Sequence, residues 1–175
     1  VDLIKHALAI KPDYVEAHCN LSSVLMEQQK FNEAEACCHR ALNIRSDYAN
    51  AHYNLGNLLT EKGRMVQAVK RYHKAISIKP NYAKAHNNLG VALQSQGKSR
   101  DALQHFRQAL ELQPDSMETH QNLGVALAEE GRFKEAAAHF QQALQVGPVS
   151  ADLHVNLGSV LASQGQGEEA ARQFQ

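Results

Sequence analysis

The chain has 175 residues, 43% of them hydrophobic, and its 18 Lys and Arg are balanced by 18 Asp and Glu. That is enough apolar material for a core, and with no basic block standing out, nucleic acid is disfavoured as a main ligand, because neutralising phosphates takes a concentrated excess of cations. Three cysteines (Cys19 and the adjacent Cys37 and Cys38) form no disulfide framework, and there is no signal peptide or long apolar run, so the expectation is a reducing cytoplasmic or nucleocytoplasmic compartment and no membrane.

The chain rewrites one stretch. Ala51-His52-Tyr53-Asn54-Leu55-Gly56 returns as Ala85-His86-Asn87-Asn88-Leu89-Gly90, Thr119-His120-Gln121-Asn122-Leu123-Gly124 and Leu153-His154-Val155-Asn156-Leu157-Gly158. A worn copy reads Ala17-His18-Cys19-Asn20-Leu21-Ser22, and every copy is 34 residues from the next. A fixed period of this size marks a repeat array with one continuous core. Residues 1–175 are therefore read as a single array. Residues 1–12 are a second helix lacking its first, then 13–46, 47–80, 81–114 and 115–148 are full repeats, and 149–175 is incomplete.

Each repeat divides into two helical patterns. In the third, Ala85, Leu89, Ala92 and Leu93 follow i, i+4, i+7, i+8 spacing, and after a turn Ala102, Leu103, Phe106, Ala109 and Leu110 continue the stripe. No stretch alternates with a strand's period of two, so the class is all-α. Asp13, Asp47, Asn81, Asp115 and Ser150 are the expected N-caps. Gly63, Gly97, Gly131 and Gly165 mark the turn inside each repeat, and Pro12, Pro80, Pro114 and Pro148 end the second helices. The first full repeat has Gln29 and Ser46 at those two positions, and both turns are expected to survive. Small residues at Gly56, Gly90, Gly124 and Gly158, with Ser22 in the first copy, let helices approach, while Tyr72, Phe106, Phe140 and Phe174 are expected to fill the space between repeats.

The register of Leu55-Gly56, Ala68, Tyr72, Ala75 and Pro80, recurring in the other copies, resembles the tetratricopeptide-repeat (TPR) family over essentially the whole chain. Histidine stands where that family often has tryptophan. The resemblance implies a right-handed superhelical solenoid of antiparallel helix pairs, with first helices lining a concave groove. It implies a protein-protein interaction scaffold that binds an extended peptide or partner protein, without cofactor and without catalytic residues. The chain begins and ends at nearly the same point of the repeat and has no polar capping helix, so it is expected to be a piece of a longer protein or to be covered at its ends. Self-association through exposed terminal helices is one such cover.

The candidate site is a ladder. With about 100° of turn per residue, the asparagines Asn20, Asn54, Asn88, Asn122 and Asn156 lie opposite the apolar stripe, joined in the groove by Tyr53, Asn57 and Asn87. An amide side chain both donates and accepts, so it can hold a peptide backbone with little regard for sequence. The ladder is similar to that of O-linked N-acetylglucosamine transferase, which implies an alternative role as the substrate-recognition arm of a larger glycosyltransferase. A basic clamp for a terminal carboxylate is disfavoured, because Lys84 has no partners at the required positions. A Glu16, Glu27 and Glu61 half contrasts with a Val91, Val125 and Val155 half, the latter suited to an apolar ligand segment.

The histidines His18, His52, His86, His120 and His154 are read as packing residues. Neighbouring copies sit on the order of 10 Å apart by helix spacing, too far to share one ion. Gly165-Gln166-Gly167-Glu168-Glu169-Ala170 follows a helix and is an inter-helix turn, not a dinucleotide loop. Asn20-Leu21-Ser22 lies within a helix, and Cys37-Cys38-His39 diverges around one, so neither a glycosylation site nor a metal site is expected.

Overall fold

The computed structural model describes residues 2–148 and 150–173, and Phe174 lies outside them. The described residues form helices and turns only: α1 (Asp2–Ile10), α2 (Val15–Glu27), α3 (Phe31–Ile44), α4 (Ala49–Glu61), α5 (Met65–Ile78), α6 (Ala83–Gln94), α7 (Ser99–Leu112), α8 (Met117–Glu129), α9 (Phe133–Val146), α10 (Ala151–Ser163) and α11 (Gly167–Gln173). Two compact units are distinguished, Val1–Ala92 and Leu93–Gln175, with the division inside α6.

In the first unit α2 packs on α3 and α4 on α5, α3 joins the two pairs by contacting α4, and α2 lies beside α4. In the second, α8 packs on α9 and α10 on α11, with α9 against α10 and α8 beside α10. Each pair turns back through one left-handed residue. Gly63, Gly97, Gly131 and Gly165 have φ between 69° and 78°, and Gln29 takes the same conformation at 58°. The following amide closes the turn onto the carbonyl five residues back, as in Arg64 N–H to Leu59 O at 2.8 Å and Lys30 N–H to Leu25 O at 2.9 Å. The sequence departure at Gln29 therefore leaves the turn intact.

The helix starts differ from expectation. The N-cap residues are Tyr14, Tyr48 and Ser116, one position later than Asp13, Asp47 and Asp115. Only Ser116 among these three receives a capping bond, from the Thr119 N–H. Ser150 is an N-cap as expected but makes no side-chain cap bond. Two other contacts fix the entry of the chain. The repeat histidine donates Nε2–H to the carbonyl six residues earlier: His18 to Pro12 (2.8 Å), His52 to Ser46 (3.0 Å), His86 to Pro80 (3.1 Å) and His120 to Pro114 (2.9 Å). The capping tyrosine carries a cation on its face, with Arg45 4.0 Å from the Tyr48 ring centre. Because the carbonyl is reached whether the residue is Pro or Ser46, the turn survives that departure too.

Tyr72 and Phe140 of the second helices rest on the glycine of their own repeat, and Tyr72 also reaches Asn88 of the next one. A Cβ placed on Gly56 would lie 2.5 Å from Tyr72 Cε1, and one on Gly124 would lie 2.7 Å from Phe140 Cε1. The first repeat solves the same space with different residues, a fully buried Ser22 sharing a 2.9 Å hydrogen bond with Cys38.

Candidate binding face

The periodicity that buries Leu55 and Leu89 carries the adjoining asparagines Asn54 and Asn88 toward the preceding repeat. The asparagines at this position are not equivalent. Asn20 is exposed. Asn54 is only 8% exposed, and its Nδ2–H2 donates to Cys19 O (3.0 Å) and Ser23 Oγ (3.1 Å). Asn88 donates from Nδ2 to Asn57 Oδ1 (2.9 Å) and Tyr53 Oη (3.2 Å), and accepts at Oδ1 from Asn87 Nδ2 (3.1 Å). Asn87 is 3% exposed. The expectation that these side chains all look outward is thus corrected for Asn54 and Asn87. A helix presents its neighbour with more than the apolar stripe, and an amide on that flank finds the carbonyls and hydroxyls of the preceding first helix. In this unit the ladder is first a set of struts between repeats.

Asn57 is the hub of that network, since its Oδ1 also accepts from Tyr72 Oη–H at 2.9 Å. Burial pushes the Tyr72 phenol up to about 12, so it stays a donor at neutral pH. Tyr53 is half-buried and its ring centre lies 4.9 Å from that of Tyr82 and 6.1 Å from that of Tyr72.

What remains open is a cavity of about 710 Å³ between α2 and α4. Met26, Phe31 and Tyr53 supply apolar wall, Asn54 and Asn57 polar wall, and the exposed carboxylates of Glu27 and Glu61 the rim. Asn54 has both amide hydrogens engaged by its neighbours, so toward the cavity it offers its Oδ1 acceptor. Met26 and Phe31 were not among the residues picked from the sequence. Their signal is faint, because each is a single apolar residue beside a turn.

In the second unit Asn122 and Asn156 are half-buried and Val155 is 51% exposed. His120 Nδ1 and His139 Nδ1 are 3.0 Å apart. His120 already gives Nε2–H to Pro114 O, so in the neutral pair His139 donates and His120 accepts. Burial, then the neighbouring His120, holds the His139 imidazole below its ordinary value.

No group of described His, Cys, Asp or Glu residues converges for a metal ion. Cys19 and Cys38 are buried, and burial pushes their thiols up to about 12 and about 11, far from a reactive thiolate. None of the described helices is long and apolar enough to cross a membrane.

Antiparallel helix pairs on a 34-residue period, with polar side chains and an open cavity on the first-helix face, define a helical-repeat interaction protein. Family comparison agrees. The TPR repeat model matches residues 23–63 and 56–97, and the tetratricopeptide repeat model matches 87–145 and 122–175. The chain belongs to the tetratricopeptide-repeat family and is an all-α TPR protein. Comparison with the curated proteins gives no match.

Among solved structures it is similar to YrrB, described as a TPR protein with an unusual peptide-binding site, at 25% identity and a TM-score of 0.77, covering 97% of this chain and 88% of that one. Pseudomonas aeruginosa PilF superposes with a TM-score of 0.87 at 22% identity, covering 97% and 78% of the two chains. MamA of Desulfovibrio magneticus RS-1 gives 0.81 at 19% identity, over 91% and 90%. The last two likenesses speak to fold alone. Membership of this family makes the chain a protein-interaction scaffold.

Proposed function

We propose that the first-helix face of residues 1–92 binds an extended peptide segment of a partner protein, seated over the cavity between α2 and α4. The observation that carries this reading is the 710 Å³ cavity itself, walled by Met26, Phe31 and Tyr53 and overlooked by the unspent acceptor of Asn54. That volume suits one large side chain and the backbone on either side of it. A peptide N–H reaches Asn54 Oδ1, and the exposed amide of Asn20 supplies a donor and an acceptor further along α2. The Glu27 and Glu61 carboxylates favour a ligand with a cationic residue at the rim. YrrB, as a TPR protein with a peptide-binding site, supports the class of ligand.

The role of Asn57, Asn87 and Asn88 in this reading is to hold Tyr53 and the repeats in place, with Asn122 and Asn156 available for the same use in the second unit. A peptide-array screen with wild type and an Asn20→Ala/Met26→Ser variant tests it. Most array positives are expected to weaken by roughly tenfold in the variant while its helical content is unchanged. Equal binding by the two proteins would overturn the reading.

The recurrence of asparagine at one position per repeat favours a second reading, the substrate-recognition arm of a larger glycosyltransferase. The reading frame of the parent gene decides it, since a transferase domain must follow if it is right.

A further inference from the structure

Charge balance over the whole chain conceals a local excess. Residues 62–100 contain nine of the 18 Lys and Arg and none of the 18 Asp and Glu. The expectation that no basic block stands out is corrected by this count. Four of these cations, Lys62, Lys70, Arg71 and Lys74, meet on the side of the first unit formed by second helices.

There α3 and α5 flank a crevice of about 250 Å³, with Lys70, Arg71 and Lys74 on one wall, Glu35 and His39 on the other, and the buried Leu55 and Leu59 as floor. Spacing on α5 explains the wall, because residues three and four apart share one helix face. Glu35 is already answered by Lys62 Nζ, which holds its carboxyl below the usual range. Among the described residues Lys70, Arg71 and Lys74 have no ion pair, and Lys70 and Lys74 are exposed. Their field reaches inward, since Arg71 and Lys74 add to the desolvation that lowers the His52 imidazole.

We infer that this crevice is a second docking site, separate from the first-helix face, and that it takes an acidic peptide segment of a partner protein, with carboxylates on Lys70, Arg71 and Lys74. The apolar floor of Leu55 and Leu59, with no Phe, Tyr or Trp among the lining residues to stack a base, favours a peptide over a nucleic acid. Charge complementarity supplies the specificity: three unpaired cations above an apolar floor select a carboxylate beside a small apolar residue.

Fluorescence anisotropy with a fluorescein-labelled peptide of Glu-Glu-Leu triplets, at about 50 mM NaCl where surface charges are only partly screened, tests the site. Wild type is expected to bind, and the exposed Lys70→Glu/Lys74→Glu variant to bind on the order of tenfold more weakly with unchanged helical content. The Asn20→Ala/Met26→Ser variant still binds this probe, and the lysine variant still binds the array peptides, so the two sites fail or succeed separately. No binding by wild type, equal binding by the lysine variant, or loss in the Asn20/Met26 variant instead overturns the inference. So does a short oligothymidylate that binds more tightly than the peptide through the same lysines.

Discussion

At the scale of single residues, the repeat is governed by pairs. Gly56 and Tyr72 share a space that Ser22 and Cys38 fill in the first repeat. Gly56→Ala gains helix propensity, worth about 1 kcal/mol, but sets a methyl 2.5 Å from a ring whose hydroxyl is tied to Asn57. Overpacking of this kind costs about 1–3 kcal/mol, so a net loss in urea denaturation is expected, and a smaller loss when the same change is made in a Tyr72→Leu background. A fully additive double variant would show that the two residues do not share space. The histidines make a second prediction. Desolvation, the largest cause, depresses His52 and His86 below 6.5. A depressed folded value means that the unfolded chain takes up protons first, so their stabilisation is complete above about pH 6.5 and declines as pH falls through the folded values. The melting temperature should hold from pH 8 to 7 and drop toward pH 5, with a smaller drop in His52→Gln. A flat profile, or an equal drop in the variant, would contradict this.

At the scale of elements, helix placement was legible because apolar periodicity, glycine turns and prolines agree at every repeat. The starts were less so. Asp13, Asp47 and Asp115 are capping residue types, yet the caps fall on Tyr14, Tyr48 and Ser116; at Tyr14 and Tyr48 a histidine bond to the carbonyl six residues earlier and a cation on the tyrosine face do what a side-chain cap bond does at Ser116. Neither partner is visible to a local propensity rule. The turn at Gln29 gives a direct test of backbone strain. A non-glycine residue at φ 58° costs roughly 1 kcal/mol, partly offset because glycine is more flexible in the unfolded chain. Gln29→Gly is therefore expected to raise the urea midpoint, and Gly63→Gln, at φ 69°, to lower it by a comparable amount. The same sign for both would refute the assignment.

For the whole molecule, the site was only half legible. Helix phase put the asparagines on the face that the proposed site uses, but phase alone does not say that Asn54 and Asn88 lie close enough to the preceding first helix to hydrogen-bond to it. Nor did it find the basic crevice, since a count of all 36 charges averages three blocks of different sign. Residues 1–61 carry eight acids and five cations, 62–100 nine cations, and 101–175 ten acids and four cations. Lys70 and Lys74, four apart on one helix, repel by roughly 0.2–0.5 kcal/mol, and Arg71 beside them adds to it. A crevice that is kept cationic for a partner should therefore cost the free protein stability at low ionic strength. Screening shortens from about 30 Å at 10 mM salt to about 8 Å at 150 mM, so the urea midpoint of wild type is expected to rise between these concentrations. In Lys70→Gln/Lys74→Gln the repulsion is gone, and the midpoint should start higher and rise less. A wild-type midpoint that falls with salt, or a variant that tracks it in parallel, would place the cations in a field already balanced by other groups and remove the energetic argument for an open docking site.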